Sequence, residues 1–376
     1  MPNTKKIISL SANSSWYLYN FRASTIKSLI ENNFTVVCLV PNDSYLKNLE
    51  TLGCKCYKIN INPKGQNPFS DFLLCIQFFY FYCKLRPSVA MHFTIKNNIY
   101  GTFGAYLANV PSINNVTGLG TAFINKNIIS RIVSFLYKVS QRCAAEVFCQ
   151  NPEDLELLKI KKLVPSKKLI LIPGSGVDTQ KFHPKLKSEY QDLEKAFTFL
   201  YAGRMLADKG LYELINAFAF INRSSIVCKL WLCGLIDKNN KSAIPSDVIE
   251  GWKKFAWVEW KGPSSSIEKI MAQVDCLVLP SYREGMPRSI LEASSMALPV
   301  IATDVAGCKH IIKHKENGLL CKPKDSISLQ NSIMEMLDLD LEKRSTMGKR
   351  GREIVVNQFD EQIVIQKTLK SISNII

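Results

Sequence analysis

Short apolar segments alternate with longer segments in which apolar residues recur at helical spacing, first from Ile7 to about Ile172 and again from Phe197 to about Val305. Such alternation predicts strands joined by helices, and therefore two doubly wound parallel sheets of the α/β class. In the first region the predicted strands are Ile7–Leu10, Val36–Val40, Val89–Phe93, Val147–Cys149 and Leu169–Ile172. In the second region they are Thr198–Tyr201, Val227–Cys233, Val258–Trp260, Cys276–Leu279 and Pro299–Ala302.

The segment Gly174–Asp178 follows the last strand of the first region and precedes a polar stretch, so we expect it to be the hinge between two domains. The predicted domains are residues 1–177 and 178–355, both Rossmann-like and facing each other across a cleft. A helix with its own apolar face is expected from Gly351 onward. Its end, residues 356–376, is expected to pack back on the first domain.

The composition supports this organisation, because 376 residues at 47% hydrophobic and 21% charged contain enough apolar material for two cores. The 12 cysteines include no Cys-x-x-Cys pair, and the four histidines lie far from any such pair. The cysteines are therefore interpreted as buried thiols in a reducing compartment. Neither a metal nor another cofactor is expected. The N-terminus leads directly into a strand, so no secretory signal is expected and the protein is predicted to be cytoplasmic.

The longest apolar run, Phe72–Cys83, is shorter than the roughly 20 residues that a membrane-spanning helix needs. A buried helix and a helix that enters the membrane interface both agree with this length. Charge is also uneven, since residues 1–177 hold 20 Lys and Arg against 8 Asp and Glu, a net +12 of the total +16. Such a basic half indicates an anionic partner, either lipid headgroups, a phosphate-bearing acceptor or nucleic acid, unless its lysines are merely solvated.

Two glutamates surround the start of a predicted helix after the strand Cys276–Leu279. A proline at the first helical position places the helix start near Pro287, which leaves Glu284 on the loop and Glu292 inside the helix. Both carboxylates can then approach one ligand. Gly285 permits close approach to the main chain, and the free N–H groups of the helix start favour an anion or a sugar hydroxyl.

Two cations follow the strand Thr198–Tyr201 in a similar setting. Arg204 comes after Gly203 at the strand end, and Lys209 precedes the glycine that opens the next helix. Arginine supplies bidentate geometry and lysine a point charge, so the two side chains together can hold a diphosphate. They lie at the carboxyl edge of a parallel sheet, where ligands bind.

These motifs resemble those of the family 4 glycosyltransferases, retaining enzymes with two Rossmann-like domains (the GT-B architecture). The resemblance covers nearly the whole chain and is most specific between Tyr201 and Pro323. The matching motifs are Glu284-x7-Glu292, Gly203-Arg204 with Lys209, Gly176-Val177-Asp178 with Phe182, Pro299–Ala302 through Gly307, and Asn317-Gly318.

The resemblance implies a role for each matching residue. Arg204 and Lys209 would stabilise the leaving diphosphate without a metal ion. Glu284 would contact the hydroxyls of the donor sugar, beside Gly285, Met286 and Pro287. Glu292 would hold the ribose.

In the first domain, relatives place a glycine-rich loop after the first strand, whereas this chain has Ser11-Ala12-Asn13-Ser14-Ser15. Asn13 and the serines are the candidate hydrogen-bond donors there. Relatives also place a histidine near the reacting sugar, and His92 is the nearest match. A register shift of one residue would turn His92 to the other face of the sheet, which leaves Lys96 as the alternative polar group.

The glycines Gly118 and Gly120 follow a further strand, where they either admit an acceptor's phosphate or sugar or form a plain tight turn. This loop, with the segments around Trp16 and His92, resembles the branch that adds N-acetylhexosamines to polyprenyl-diphosphate-linked saccharides in O-antigen, capsule or glycan assembly. The resemblance implies a UDP-sugar donor, preferably N-acetylgalactosamine or N-acetylglucosamine. It also implies an anionic membrane surface as a partner, with no nucleic acid.

Other functions agree with parts of the sequence. A dinucleotide-dependent oxidoreductase is excluded by the first turn, because no glycine occurs before Gly53. A sugar-nucleotide epimerase or hydrolase would share the architecture and the phosphate contacts. A non-enzymatic basic membrane-binding protein would explain the charge but not the paired glutamates and cations. Asp338-x-Asp340 has the form of a metal-binding motif but is interpreted as a solvated helix end.

Overall fold

The computed structural model describes residues 5–62, 65, 67–117, 128–186, 196–225, 227–237, 240 and 242–376. They form two compact units, each with its own parallel sheet. The first unit comprises Met1–Ser175 with Gln362–Ile376, and the second comprises Gly176–Glu361.

The sheet of the first unit has seven strands in the described part of the chain: β1 Ile7–Ser11, β2 Thr35–Val40, β3 Lys55–Lys58, β4 Val89–Phe93, β5 Ser112–Val116, β6 Glu146–Cys149 and β7 Leu169–Leu171. Their order across the sheet is β3-β2-β1-β4-β5-β6-β7. The described helices of this unit are α1 Ser15–Glu31, α2 Leu46–Thr51, α3 Pro68–Leu85, α4 Thr102–Leu107, α5 Ile128–Cys143 and α6 Pro152–Ile160.

The sheet of the second unit has six strands among its described residues: β8 Thr198–Ala202, β9 Lys229–Cys233, β10 Val258–Gly262, β11 Cys276–Leu279, β12 Val300–Thr303 and β13 Gly318–Cys321. Their order is β10-β9-β8-β11-β12-β13. The described helices are α7 Leu211–Ile221, α8 Ser246–Trp252, α9 Ile267–Met271, α10 Arg288–Ser295, α11 Ala306–Lys309, α12 Ser326–Asp338 and α13 Leu341–Gln358.

Successive strand residues point to opposite sides of the first sheet, and apolar residues occur on both sides. Helices therefore cover both faces. Ile8 and Leu10 of β1 pack with α1, and Val364 and Ile372 of the C-terminal helix join the same core. Ala90 of β4 faces the other side, where the core is completed by apolar residues of α3 and α4. The α/β class predicted from the sequence is therefore confirmed, with two doubly wound sheets.

The C-terminal region differs from the single helix predicted from Gly351. Helix α13 already begins at Leu341, the chain leaves the helix at Phe359 and Asp360, and α14 spans Glu361–Ile375. The break is fixed by a hydrogen bond from the Thr179 hydroxyl to Asp360 Oδ2 and by main-chain pairing of Val177 with Asp360. In the described part of the chain, none of the helices has the length and apolarity to cross a bilayer.

Candidate active site

Two loops at the carboxyl ends of β8 and β11 carry the charged residues that the sequence pointed to. These strands are neighbours, and the sheet order reverses between them, with β9 and β10 on one side and β12 and β13 on the other. In open α/β sheets the crevice at such a switch point is where ligands bind. Arg204, Lys209 and Glu284 all follow these two strands, so the second unit brings them to one place.

Lys209 and Glu284 form an ion pair across the two loops. The distance from Lys209 Nζ to Glu284 Oε1 is 2.5 Å, and the side chains are only 18% and 14% exposed. An ammonium has three donors and a carboxylate has several acceptor positions, so the pair leaves both groups able to bind a further partner. A half-buried cation and an acceptor for hydroxyl groups therefore lie side by side.

The close approach of the two loops depends on Gly210. Its φ is +73°, and a Cβ atom there would lie 2.1 Å from the carbonyl oxygen of Pro280. A further main-chain hydrogen bond, from Tyr282 N to Asp208 O at 2.9 Å, joins the same loops. Glycine is required here because a side chain in this left-handed conformation would collide with the neighbouring backbone. These contacts position Lys209 against Glu284.

Arg204 presents its charge at the surface from a fixed main chain. The buried Tyr201 hydroxyl donates to Arg204 O at 2.8 Å, and a Cβ on Gly203 would lie 2.8 Å from that hydroxyl oxygen. The Arg204 side chain is 55% exposed, with Nη1 at 3.9 Å from Asp237 Oδ2. This long-distance pair leaves most of the guanidinium accessible, and a guanidinium can bind a planar anion through two parallel hydrogen bonds.

Glu292 lies in α10 and Glu284 on the preceding loop, as predicted, although the helix begins at Arg288 and Pro287 is its N-cap. Arg288 Nε donates to Glu292 Oε1 at 2.8 Å. Burial raises the pKa of Glu292, while the positive charges of Arg288 and Lys181 oppose that rise. The carboxyl group therefore gains a proton at a higher pH than an exposed glutamate does.

The loop between Glu284 and the start of α10 is held from both sides. Met286 packs against the core of the second unit, and Pro287 is buried. Gly307 N donates to Glu284 O at 3.3 Å, and a Cβ on Gly307 would lie 2.5 Å from Gly285 O. The main chain at Gly285 is thus fixed by the start of α11.

In the first unit, Asn13 lies half-buried at the carboxyl end of β1, next to the corresponding reversal between β1 and β4. The neighbouring serine hydroxyl is occupied, since Ser14 Oγ accepts from Tyr17 N at 3.2 Å and caps α1. Ser15 N donates to Asp43 Oδ2 at 2.7 Å. The loop is therefore ordered by helix capping.

Lys96 follows β4 and is ion-paired. Its Nζ lies 2.5 Å from Asp71 Oδ1, and Tyr100 donates to Asp71 Oδ2 at 3.0 Å. The pair attaches the loop to the first turn of α3. Gly118 and Gly120 lie outside the described residues.

His92 does not reach a ligand-accessible surface in this structure, so its predicted approach to the reacting sugar is not supported. The ring is fully buried, with Nδ1 at 2.8 Å from Asn114 Oδ1 and Nε2 at 2.9 Å from the Tyr82 hydroxyl. Because the amide oxygen only accepts, Nδ1 donates and Nε2 accepts from Tyr82. Burial lowers the pKa of His92 to about 4. The His92 side chain faces helices α3 and α4, which is the orientation that the shifted register would give.

The structure adds residues that the sequence did not single out. Arg288 precedes its partner Glu292 by one helical turn, and this spacing was available as a signal. Asp237, which faces Arg204, lies in the loop after β9, and no sequence motif marks it. Lys181 forms a 3.5 Å ion pair with Glu268, and its charge acts on Glu292 from a distant part of the sequence.

The Asp-x-Asp sequence occupies helix ends, as predicted. Asp338 is the last residue of α12, and Asp340 Oδ1 accepts from Lys343 N at 2.7 Å at the start of α13. Among the described residues, no three His, Cys, Asp or Glu side chains come together in an arrangement that would hold a metal ion.

Comparison with known proteins finds similarity to glycosyltransferases. Residues 183–354 match the family model described as glycosyl transferases group 1. The chain is therefore a glycosyltransferase with the fold of two Rossmann-like units.

Two curated relatives align with most of the chain. The N,N'-diacetylbacillosaminyl-diphospho-undecaprenol alpha-1,3-N-acetylgalactosaminyltransferase of Campylobacter jejuni is 27% identical over 377 residues, covering 96% of each chain. The UDP-Gal:alpha-D-GlcNAc-diphosphoundecaprenol alpha-1,3-galactosyltransferase of Escherichia coli is 25% identical over 349 residues, covering 84% of this chain and 88% of the relative.

Among solved structures, the Anabaena protein HepE in complex with UDP and glucose superimposes with a TM-score of 0.80. The two chains are 18% identical, and the match covers 98% of this chain and 99% of HepE. This likeness shows that the two proteins share a fold.

Proposed function

We propose that this chain is a retaining glycosyltransferase that moves a sugar from a UDP-sugar to a polyprenyl-diphosphate-linked saccharide in bacterial surface polysaccharide or glycan synthesis. The observation that carries the proposal is the Lys209–Glu284 pair at the switch point of the second sheet, with Arg204 exposed after the same strand. These groups supply positive charge for a diphosphate and an acceptor for sugar hydroxyls in one place.

In the proposed mechanism, Arg204 and Lys209 bind the diphosphate of the donor. Negative charge develops on the β-phosphate as the glycosidic bond breaks, and cations already in place stabilise that charge without reorganisation. The two side chains supply this charge from the protein itself, so the proposed reaction needs no metal ion. Glu284 accepts hydrogen bonds from donor-sugar hydroxyls, with the main chain of Gly285, Met286 and Pro287 beside it.

The sugar and the acceptor are proposed from the relatives. The Campylobacter relative is named for transfer of N-acetylgalactosamine to a diphospho-undecaprenol-linked saccharide, and the Escherichia coli relative is named for a UDP-sugar and a diphosphoundecaprenol acceptor. We therefore propose N-acetylgalactosamine first and N-acetylglucosamine second. An acceptor with a lipid tail places the reaction at a membrane, and we propose the cytoplasmic face of the bacterial plasma membrane.

The test is transfer of labelled sugar from UDP-N-acetylgalactosamine to a polyprenyl-diphosphate-linked saccharide, with EDTA present. Glu284→Gln and Arg204→Ala are each expected to lower kcat/KM at least about tenfold, since each loses roughly 1.4 kcal/mol or more of transition-state stabilisation. Retention is checked by the anomeric configuration of the product, measured by NMR.

The matched controls are Glu250→Gln and Arg223→Ala, exposed residues of the second unit away from these loops. Both are expected to react at the wild-type rate. Equal rates in all five proteins, or release of free sugar without an acceptor, would contradict the proposal. Loss of activity with EDTA would contradict its metal independence alone.

Donor binding is expected to weaken as the pH falls through the raised pKa of Glu292. In its proposed role the ionised carboxylate accepts from ribose hydroxyls, and protonation removes that acceptor. Because burial raises this pKa, the loss begins at a higher pH than for an exposed glutamate. Glu292→Gln is expected to bind UDP about ten- to a hundredfold more weakly at neutral pH. The affinity of Glu292→Gln for UDP should also lack this pH dependence. Calorimetric titration with UDP at several pH values would measure both effects.

A further inference from the structure

Three helices of the first unit, α3, α4 and α5, lie on one face of its sheet. The strand residues beneath them, including Ala90, His92, Asn114 and Val147, all point to this face. The outer surfaces of the helices are rich in exposed large apolar side chains: Phe69, Phe72, Leu73, Ile76, Phe79, Tyr80, Tyr106, Leu107, Ile132 and Phe135. We call this set the apolar face.

Helix α3 is apolar on both sides. Its inner side buries Leu74, Phe78 and Tyr82. Its outer residues recur at the spacing of one helix stripe from Phe69 to Tyr80, with Phe69 at 69% and Phe72 at 62% exposure. A helix that is apolar all round is normally buried on all sides, so the outer stripe indicates a partner surface.

The charged residues of these helices are mostly basic. Their described sequences contain a single acidic residue, Asp71, which is ion-paired with Lys96. Lys84 at the end of α3 and the α5 residues Arg131, Lys138 and Arg142 supply positive charge. A surface that is both apolar and basic complements the interface of an anionic bilayer.

A basic pocket continues this surface at the end of α5. Arg142, Lys159 and Lys162 line it, together with Val164, Pro165 and Ser166, and these described lining residues include no carboxylate. Arg142 follows Ile132 and Phe135 at helical spacing on the same side of α5. The apolar residues of α5 are thus followed by a group of cations suited to phosphate.

We propose that the apolar face enters the headgroup region of an anionic phospholipid membrane, with the basic pocket binding a lipid phosphate. The proposal rests on the proposed function, because an enzyme acting on a lipid-linked saccharide needs access to the bilayer surface. Helices lying in the interface bury their apolar side and keep their cations among the headgroups. A second copy of the chain fits less well, since a symmetric contact would bring two sets of cations together.

The test is sedimentation of the full chain with vesicles, which requires no substrate. Wild type is expected to bind vesicles of phosphatidylethanolamine and phosphatidylglycerol, and to bind phosphatidylcholine vesicles at least about tenfold more weakly. The double variant Phe72→Ser with Phe135→Ser should lower binding to the anionic vesicles at least about tenfold. Both side chains are more than half exposed, so the fold is expected to remain.

The matched control is Phe220→Ser with Ile327→Ser, two exposed apolar residues of the second unit at 48% and 69%. It should bind vesicles as wild type does. Arg142→Ala with Lys162→Ala should remove most of the preference for anionic vesicles. With a short-chain, water-soluble acceptor, the Phe72 and Phe135 double variant should keep wild-type transfer activity.

Equal vesicle binding by wild type and the Phe72 and Phe135 double variant would overturn the proposal. So would a wild-type dimer that this variant converts to a monomer, since the face would then be a contact between copies. Failure of the proposed function is distinguishable, because it appears as absent transfer to the soluble acceptor by wild type, whatever the vesicle result.

Discussion

Replacing Lys209 by alanine is expected to lower kcat of sugar transfer about 10²–10³-fold, the range seen when one preorganised group that stabilises transition-state charge is removed. Two effects add in this direction. The cation that meets the departing diphosphate is lost, and Glu284, only 14% exposed, loses its 2.5 Å partner. An unpaired carboxylate near the diphosphate would then repel the charge that develops there. Steady-state kinetics with saturating donor measures this change.

Lys253→Ala is the control for Lys209→Ala. Lys253, the C-cap of α8, pairs with Glu250 at 2.6 Å on the protein surface, so the same ion-pair chemistry is removed outside the proposed site. Exposed pairs of this kind contribute little, and wild-type kcat is expected. If Lys209→Ala kept more than about a tenth of wild-type kcat, Lys209 could not have the role of stabilising the leaving group.

The proposed site of the second unit could be located from the sequence because its residues sit at fixed places relative to buried strands. Arg204 and Glu284 each follow a run of apolar residues that ends at Ala202 or Leu279. Parallel strands place their carboxyl ends at one edge, so the loops were expected to converge. The sequence does not show that β8 and β11 are neighbours, or that Lys209 pairs with Glu284, because these contacts join distant segments.

The first unit was less predictable because several of its buried positions are polar. Strand β5 lies in the middle of the sheet, yet its sequence is Ser-Ile-Asn-Asn-Val. Asn114 is satisfied there by the ring of His92 and by Gln141 Oε1 at 2.8 Å, and Asn98 donates to Asn115 O. No local pattern shows such distant partners. The same network explains why a histidine at the end of β4 is buried rather than exposed to ligand.

Strand β3, at one edge of the first sheet, was missed for a different reason. Strand β3 is Lys-Cys-Tyr-Lys and is only partly buried, so its apolar pattern is weak, as is common for edge strands that carry lysine. Residues Phe72–Cys83 lie in one helix, α3, which has two apolar sides. The inner side of α3 belongs to the core, and its outer side remains exposed. Periodicity could not separate the two sides because both are apolar.

Substituting alanine for Gly210 is expected to have a large structural effect at the proposed site. An alanine at φ +73° is strained, and its Cβ would lie 2.1 Å from Pro280 O. Relief requires the loops after β8 and β11 to separate, which would pull Lys209 away from Glu284. We expect a loss of about 3 kcal/mol or more in unfolding free energy. Transfer activity should fall more than about 10²-fold, because catalysis is sensitive to displacements near 1 Å.

Denaturant unfolding followed by tryptophan fluorescence measures the change in stability of the second unit. The tryptophans other than Trp16 all lie in that unit, as does Gly210. Gly251→Ala is the control. Apart from its chain neighbours and the backbone of α8, no atom lies within 4 Å of a Cβ added at Gly251, so a gain of about 0.5–1 kcal/mol is expected from helix propensity. An unchanged denaturant midpoint for Gly210→Ala would show that Gly210 lies farther from Pro280 O than this contact implies. Loss of stability with unchanged activity would instead mean that the pairing of Lys209 with Glu284 does not depend on this contact.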